Sequence, residues 1–138
     1  MIGTTKTQDT KLRAKPLNII ELQGMIPQFK KEDIEKLNTI NQQIIDRTRE
    51  RSECRDESDK SAIDTDIALL QSRSKKIAEQ LKRYDAVEIA IKNKQFGHCN
   101  ECAEPIDILR LNLEPTTTTC MTCKSHRAYR DRVQFAHH

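Results

Sequence analysis

The feature that most constrains this sequence is a long stretch that contains no helix breaker. No glycine or proline occurs from Gln28 to Phe96. Because these two residue types are the ones that most strongly end a helix, the stretch is predicted to be helical throughout. A single uninterrupted helix of that length would extend on the order of 100 Å at 1.5 Å per residue.

Two apolar stripes run along this stretch and are separated by a polar gap. Both stripes follow the three- and four-residue steps of helices that pack as a coiled coil. Their members are Ile34, Leu37, Ile40, Ile44 and Ile45, and then Ile63, Ile67, Leu70, Ile77, Leu81, Tyr84, Val87 and Ile91. Ser74 interrupts the second stripe. From Asp46 to Ser61 the only apolar side chain is Cys54. The gap favours an antiparallel hairpin over the alternative, a straight helix that pairs with a second copy.

The polar gap also supplies residues for a turn, which is predicted at about residues 55–61. Ser61 and Asp64 have the spacing of a capping box, and Ser58 or Asp59 would serve equally well as an N-cap. From the residues alone, Asp56 and Asp59 are interpreted as turn and cap residues, since short acids are favoured where a helix begins.

The part of the chain before the hairpin is predicted to be only partly ordered. Residues 1–15 are polar and expected to be flexible, and Pro16 to Ile26 should form a short helix bounded by Gly24 and Pro27. The predicted organisation is therefore a flexible N-terminus with a short helix (1–29), a coiled-coil hairpin (30–96) and a cysteine-containing module with a C-terminal helix (97–138). The fold class is mainly α.

Composition argues against several classes of protein. Charged residues make up 33% of the chain and aromatic residues 4%, which favours exposed helical surface over a large buried core. The 24 basic and 21 acidic residues leave a net charge of only +3, whereas a basic nucleic-acid-binding surface usually produces a larger imbalance. Direct sequence-specific DNA binding is therefore not expected.

The same considerations indicate a cytoplasmic protein. No run approaches the roughly 20 apolar residues of a membrane span, and the N-terminal residues lack the apolar core of a signal peptide. Cysteines arranged in CxxC pairs indicate metal binding in a reducing compartment rather than the disulfide framework of a secreted protein. We expect a monomer that does not associate with membranes.

Four of the five cysteines form the two CxxC pairs, Cys99 with Cys102 and Cys120 with Cys123. Their separation lies inside the window for a four-thiolate zinc site. Because all four coordination positions would be filled by protein, the zinc should be structural. The intervening apolar residues are expected to cover the site, and Arg127 to Phe135 to form a closing helix. The covering residues would be Ile106, Ile108, Leu109, Leu111 and Leu113.

The alternative interpretation, two redox-active dithiols, is weaker because a thioredoxin-like CxxC requires a βαβ setting. His98 and His126 flank the cysteines and are interpreted as surface residues. Cys54 is interpreted as an isolated reduced thiol on an exposed helix.

A helical hairpin followed by FGHCNECAEPIDILRLNLEPTTTTCMTCK resembles the DksA/TraR family of bacterial RNA polymerase-binding transcription factors. The resemblance covers about residues 30–135. It rests on an aromatic–glycine step, two CxxC pairs, an isoleucine, an Arg–Leu pair and a proline. In this chain these are Phe96-Gly97, Cys99 and Cys102, Ile106, Arg110-Leu111, Pro115, and Cys120 and Cys123.

Family members carry a DxxDxA motif at the hairpin tip. Asp56 and Asp59 match its two acids, and Ser61 and Ala62 lie where its alanine falls. Ser61 stands where the motif has alanine, with Ala62 one position late. Ala103 replaces the glycine that usually follows the second cysteine, a position where a tight turn often needs a positive φ.

The resemblance implies that the coiled coil enters the secondary channel of RNA polymerase and brings the tip acids towards the catalytic centre. There the protein would change the lifetime of promoter open complexes without itself being an enzyme. It also implies a response to ppGpp, with Lys76, Arg83 and Lys124 at the matching basic positions. Basic groups are what a polyphosphate requires.

Two other functions are kept as alternatives. One is a zinc-ribbon protein that binds nucleic acid, although the chain has only Tyr129 and Phe135 as aromatic residues beyond Cys99 for base stacking. The other is transcript cleavage, as in Gre factors with acidic hairpin tips. The arginine run beside the tip (Arg47, Arg49, Arg51 and Arg55) is interpreted as a solvated face with i,i+4 ion pairs.

Overall fold

The computed structural model describes residues 15–136, with side chains up to Val133. Its four helices are α1 (Ile19–Glu53), α2 (Glu57–Lys92), α3 (Ile108–Leu113) and α4 (Met121–Ala136). They form two compact units, one of residues 27–85 and one of the described residues up to Ile26 together with those from Ala86 onward. The mainly α fold is confirmed. None of the helices described is long and apolar enough to cross a lipid bilayer.

Helix α1 begins with a reciprocal cap. The Asn18 side chain accepts the N–H of Glu21 at 2.9 Å, and the Glu21 carboxylate accepts the N–H of Asn18 at 3.0 Å. This is the capping-box arrangement, which satisfies two N–H groups that a helix start otherwise leaves without partners. Of the segment predicted to be flexible, residues 1–14 lie outside the described part of the chain.

The prediction of a separate short helix that ends at Gly24 and Pro27 is wrong, because α1 continues through both residues to Glu53. A proline inside a helix costs about 3 kcal/mol, since it removes one hydrogen bond and crowds the preceding turn. Leu22 and Ile26 are each only 1% exposed. Burying two such side chains contributes roughly 3–6 kcal/mol, which offsets the cost of Pro27. Tertiary burial therefore outweighs the local signal.

Within residues 27–85, α1 and α2 lie antiparallel and confirm the predicted hairpin. Successive contacts move towards the C-terminus of α1 and towards the N-terminus of α2. The polar side-chain pairs that join the two helices are Lys30–Asp85, Asn41–Ser74, Arg47–Asp66 and Arg51–Asp64. Ser74, the residue that interrupts the apolar stripe, donates its hydroxyl to Asn41 Oδ1 at 3.0 Å.

The hairpin is thin, and few of its side chains are fully buried. Among residues 27–85, all of which are described, only Ile63 and Tyr84 are less than a tenth exposed. Burial, followed by the negative charge of Asp33, raises the pKa of the Tyr84 hydroxyl. The polar pairs that join the two helices thus accompany a narrow apolar seam rather than a thick core.

Helix α2 ends in a residue with left-handed backbone geometry. Lys94 has a φ of 58°, and its N–H bonds to the carbonyl of Ile91 while that of Gln95 reaches Ala90. This pair of bonds is a Schellman motif, which satisfies carbonyl groups at the helix end and normally favours glycine at the left-handed position. The chain leaves the helix here and enters the cysteine-containing module.

Candidate functional site

The first CxxC lies in a tight turn that begins at Gly97. Its φ is 85°, and a Cβ at this position would lie 2.5 Å from Ile19 Cδ1. A residue with a Cβ would be strained at this φ and would have to displace the Ile19 side chain, so glycine is favoured here. The N–H of Ile106 bonds to the Gly97 carbonyl, and the N–H of Cys99 to that of Glu104, so the two arms of the turn are held together.

Ala103, directly after the second cysteine of this turn, has a φ of 65°. The positive φ anticipated from the sequence at this position is therefore present, and an alanine adopts it. The N–H of Ala103 donates to the Cys99 carbonyl at 2.9 Å, which closes the turn. The left-handed backbone conformation costs a residue with a Cβ roughly 1–2 kcal/mol.

The second CxxC lies at the start of α4, so the prediction that the closing helix begins near Arg127 is wrong. The helix begins at Met121. Cys120 precedes it as the N-cap, because its carbonyl accepts the N–H of Lys124 at 3.0 Å and its Sγ accepts that of Cys123 at 3.5 Å. A sulfur that accepts helix N–H groups replaces the usual oxygen cap, and this extends the helix to the cysteines.

The two CxxC segments meet through backbone and side-chain contacts. The N–H of Asn100 bonds to the Thr118 carbonyl, and the Thr119 hydroxyl donates to Asn100 Oδ1 at 3.2 Å. Arg127 of α4 forms an ion pair with Glu101. Its hydrogen bond to Glu101 is the main reason that the pKa of this carboxyl is lowered.

All four Sγ atoms lie within 4.8 Å of one another, and those of Cys102 and Cys120 are 3.7 Å apart. In a tetrahedral site with Zn–S bonds of about 2.3 Å, the sulfur atoms are about 3.8 Å apart. The cluster therefore fits zinc, with Cys99, Cys102, Cys120 and Cys123 as ligands. Four protein ligands leave no position for a substrate water, so such an ion would stabilise the module rather than catalyse a reaction.

The thiols differ in their affinity for protons. Burial raises the pKa of Cys99, but hydrogen bonds from the backbone of Cys120, Cys102 and Glu101 stabilise its thiolate and bring the pKa down to about 6. For Cys123 the hydrogen bond with the Cys120 side chain raises the pKa. Metal ligation requires thiolates, so zinc binding by this cluster is expected to release protons.

The apolar residues between the CxxC pairs cover the site only in part. Leu111 is fully buried and Ile106 is 6% exposed, as expected, whereas Leu109 and Leu113 are 57% and 76% exposed. Leu109 and Leu113 are four residues apart and share one face of α3, which is the face turned to solvent. The opposite face carries the buried Leu111. Asn112, on a neighbouring side of the helix, anchors α3 because its side chain bonds to both backbone groups of Leu17.

At the far end of the hairpin, the loop between the helices comprises only residues 54–56. Asp56 is the N-cap of α2, since its carboxylate accepts the N–H of Ser58 at 2.9 Å and its carbonyl accepts that of Lys60. The interpretation of Asp56 as a turn and cap residue is therefore confirmed, whereas the other predicted caps, Ser58, Asp59 and Ser61, are wrong. Because the cap is at Asp56, Ser58, Asp59 and Ser61 lie inside the first turns of α2. These residues are polar, so their exposure on the helix surface costs little.

The other tip residues matched by the motif lie in the first two turns of α2 and are exposed: Asp59, Ser61 and Ala62. Asp59 is in the first turn, where the helix dipole favours an acid. Cys54 lies in the loop rather than on a helix and is half-buried, with its thiol 3.5 Å from the Asp56 carbonyl.

The arginine run was interpreted as a face with i,i+4 pairs, but two of its members bond across the hairpin instead. Arg47 bonds to Asp66 as well as to Glu50, three residues further along its own helix. Arg51 forms a bidentate contact with Asp64, in which Nε donates to Oδ1 and Nη2 donates to Oδ2 at 3.2 Å. These contacts, led by Glu50 for Arg47 and by Asp64 for Arg51, raise the pKa of both guanidinium groups.

The three basic residues predicted to bind ppGpp are all exposed. Lys76 and Arg83 lie on α2, and Lys124 is in the first turn of α4. Lys76 and Arg83 are seven residues apart, which places them on the same side of the helix about 10 Å apart along its axis. His98 and His126 are exposed as well.

The structure thus contains a helical hairpin and a four-cysteine cluster that fits a structural zinc ion. Comparison with known proteins agrees with a zinc finger in the cysteine-containing module. A family model described as the prokaryotic dksA/traR C4-type zinc finger matches residues 94–127. This segment contains all four cysteines and begins at the left-handed Lys94.

Known relatives extend the match over most of the chain. The RNA polymerase-binding transcription factor DksA of Buchnera aphidicola is 29% identical and covers 87% of this chain and 93% of its own length. Its counterpart in Haemophilus influenzae is 24% identical over 84% of this chain and 94% of its own. Over most of its length the chain is therefore similar to DksA proteins, and its cysteine module matches the dksA/traR zinc-finger model. Its relatives are named as transcription factors, in agreement with the expectation that this protein is not an enzyme.

A solved structure supports the fold. The transcription factor DksA2 from Pseudomonas aeruginosa is similar with a TM-score of 0.67 and 21% identity, covering 80% of this chain and 83% of that one. At this level of identity the similarity concerns the fold alone.

Proposed function

We propose that this protein is a bacterial transcription regulator that binds RNA polymerase directly and acts in the cytoplasm. In this proposal the hairpin enters the secondary channel and its tip alters the stability of promoter open complexes, and hence transcription initiation. The observation that carries the proposal is the match to relatives named RNA polymerase-binding transcription factors, which spans 87% of this chain and 93% of the Buchnera relative.

The geometry of the tip is consistent with such a role. A three-residue loop at residues 54–56 leaves a narrow end, and the carboxylates of Asp56 and Asp59 are exposed there. A negative charge delivered to within a few ångströms of a catalytic Mg²⁺ changes the electrostatic potential at the metal and at the residues around it. Neither acid has to transfer a proton for this effect.

A photo-crosslinking amino acid in place of Ser61 tests the proposal. The protein carrying it would be mixed with bacterial RNA polymerase and promoter DNA, irradiated, and the crosslinked peptides mapped by mass spectrometry. Crosslinks to polymerase residues that line the secondary channel are expected. The same group at Lys75, which is exposed on α2 several turns from the tip, provides the matched control.

Two results would favour the alternative functions. Crosslinks to DNA alone, together with binding to free DNA that weakens steeply with salt, would indicate a nucleic-acid-binding zinc ribbon. Shortening of the transcript in stalled elongation complexes would indicate a Gre-like cleavage factor.

We also propose that the protein acts together with ppGpp, through Lys76, Arg83 and Lys124. All three are exposed cations, and a tetra- or pentaphosphate-like anion is stabilised by several basic groups at once. The proposal predicts that ppGpp increases the effect of the wild-type protein on open-complex lifetime. The Lys76→Ala, Arg83→Ala variant should lose that increase.

A variant with the same change of charge serves as the control. Lys75 and Lys82 are each adjacent to one of the two residues and are also exposed, but they point about 100° away around the helix. If Lys75→Ala, Lys82→Ala abolishes the ppGpp response equally, a general loss of positive charge explains the result, and the specific site is excluded.

A further inference from the structure

The end of the hairpin near the tip is held together differently from the rest. From Asp46 to Glu53, the last two turns of α1 contain no apolar side chain. Opposite them on α2, Ile63 is nevertheless only 7% exposed. Because α1 offers no apolar partner here, the hydrocarbon stems of its long side chains are the available cover. Arg47, Cys54 and Ile63 line the same cleft.

The charged heads of these side chains make the cross-helix contacts at this end. Arg51 bonds to Asp64 through Nε and Nη2, and Arg47 bonds to Asp66 and Glu50. A bidentate contact between a guanidinium group and a carboxylate fixes the relative orientation of the two groups as well as their distance. By contrast, Arg49, which lies between them in sequence, is exposed, and within the described residues no ion pair joins it to α2.

We propose that Arg47 and Arg51 are positioning residues that hold the first turns of α2 against α1 and so present the tip acids in one geometry. This inference rests on the proposed function for its biological consequence, but not for its structural content. The two arginines act through Asp64 and Asp66 and do not themselves have to touch the partner. These two arginines and their two aspartates form what we call the arginine clamp.

The clamp has a built-in reporter, the thiol of Cys54. Cys54 follows α1 directly and is half-buried, with its Sγ 3.5 Å from the Asp56 carbonyl. If the last turns of the hairpin separate, this thiol becomes accessible. The rate at which a maleimide alkylates Cys54 in the zinc-loaded protein, resolved by peptide mass spectrometry, therefore measures opening of the tip.

Breaking the clamp from either side should have the same effect. An exposed ion pair shifts a local opening equilibrium by up to roughly fivefold, so the loss of both pairs is expected to accelerate alkylation on the order of tenfold. Arg47→Ala, Arg51→Ala and, separately, Asp64→Ala, Asp66→Ala should both show this acceleration. The aspartate variant matters because the two variants change the net charge near Cys54 in opposite directions, so acceleration in both cannot arise from charge alone.

The exchange Arg51→Asp, Asp64→Arg restores the pairing with opposite polarity and should bring alkylation close to the wild-type rate. Arg49→Ala, which removes the same charge from the same run, should leave it unchanged. Alkylation at the wild-type rate in both clamp-breaking variants would overturn the proposal. Acceleration in only one of the two variants would do so too, since loss of the pairing affects both alike.

The effect of the variants on open-complex lifetime shows whether the arginines position the tip or contact polymerase directly. With polymerase saturated, the clamp-breaking variants should lose most of the effect on open-complex lifetime, while the concentration that gives half-maximal binding changes little. The exchanged pair should recover the effect. If the exchange restores slow alkylation but not activity, the arginines contact the partner directly and the positioning role is wrong. If the wild-type protein has no effect on polymerase, the proposed function fails, and the alkylation series alone decides whether the clamp exists.

Discussion

The carboxylate of Asp56 accepts the backbone N–H of Ser58 at 2.9 Å, so the first of the two tip acids is also the N-cap of α2. Asp59, three residues further on, is exposed in the first turn of the helix. The two acids therefore differ in structural role, although the sequence motif presents them as a pair.

This difference predicts distinct stability effects at position 56. Asp56→Ala should lower the free energy of unfolding by about 1 kcal/mol, because alanine cannot cap the helix, whereas Asp56→Asn should change it little, because asparagine caps as well as aspartate does. Chemical denaturation followed by circular dichroism measures both. Equal stability of the alanine and asparagine variants would mean that the cap does not contribute.

At Ala103 a substitution should stabilise the protein. Ala103→Gly relieves the cost of a Cβ at a φ of 65° and should raise the free energy of unfolding of the zinc-loaded protein by about 1 kcal/mol. Glu104→Gly, at the next residue, where no positive φ occurs, should instead destabilise. A loss of stability in Ala103→Gly would show that the extra freedom of glycine in the unfolded chain dominates.

The glycines at positions 24 and 97 are expected to respond in opposite directions. Gly97→Ala should destabilise by more than about 1 kcal/mol, since φ is 85° and the new Cβ would meet Ile19 Cδ1 at 2.5 Å. Gly24→Ala should stabilise by roughly 0.5–1 kcal/mol, because the residue lies inside α1 and a Cβ there meets nothing within 4 Å. Thermal unfolding of the two variants in parallel tests the local geometry, and the same sign for both would contradict it.

The assignment of the metal ligands can be tested by measuring the zinc content and the helix content of cysteine variants. Cys102→Ser should reduce bound zinc from one ion per chain to a small fraction, measured by elemental analysis after dialysis. The start of α4 should also lose order, because Cys120 caps that helix and would also ligate the metal. Cys54→Ser, which changes the only cysteine outside the cluster, should retain full zinc. If Cys54→Ser also loses zinc, the assignment of the four ligands is wrong.

The sequence was sufficient to predict the elements whose signals do not depend on distant contacts. The polar gap between Ile45 and Ile63 predicted the hairpin, and the two CxxC pairs predicted the four-thiolate cluster that the structure brings together. The requirement for a positive φ at Ala103 could likewise be predicted, because the geometry of a CxxC turn is determined within a few residues.

What could not be predicted depends on tertiary contacts or on competing local choices. Pro27 indicated a helix end, but burial of Leu22 and Ile26 carries α1 past it. Several neighbouring polar residues were equally good caps for α2, and propensity alone could not select Asp56. The capping box of Asn18 and Glu21 was present in the sequence, but its meaning depended on knowing that a helix begins at Ile19.

The arginine run illustrates the same limit. The sequence spacing allowed i,i+4 pairs within one helix, whereas the structure pairs Arg47 and Arg51 with aspartates of the other. Which partner a long side chain selects depends on the register of the hairpin, and that register is determined by all the contacts along it.

The central claim is that the tip acids, rather than binding alone, produce the effect on transcription. The most direct measurement is the lifetime of open complexes at a ribosomal RNA promoter with purified bacterial polymerase, comparing wild type with the Asp56→Asn, Asp59→Asn variant. Asparagine preserves the cap at position 56, and equal binding of the two proteins to polymerase would be established first. The account predicts that wild type shortens the lifetime and the variant does not. If both proteins shorten it equally, or if neither does despite binding, the acids serve only the structure of the hairpin and the claim is wrong.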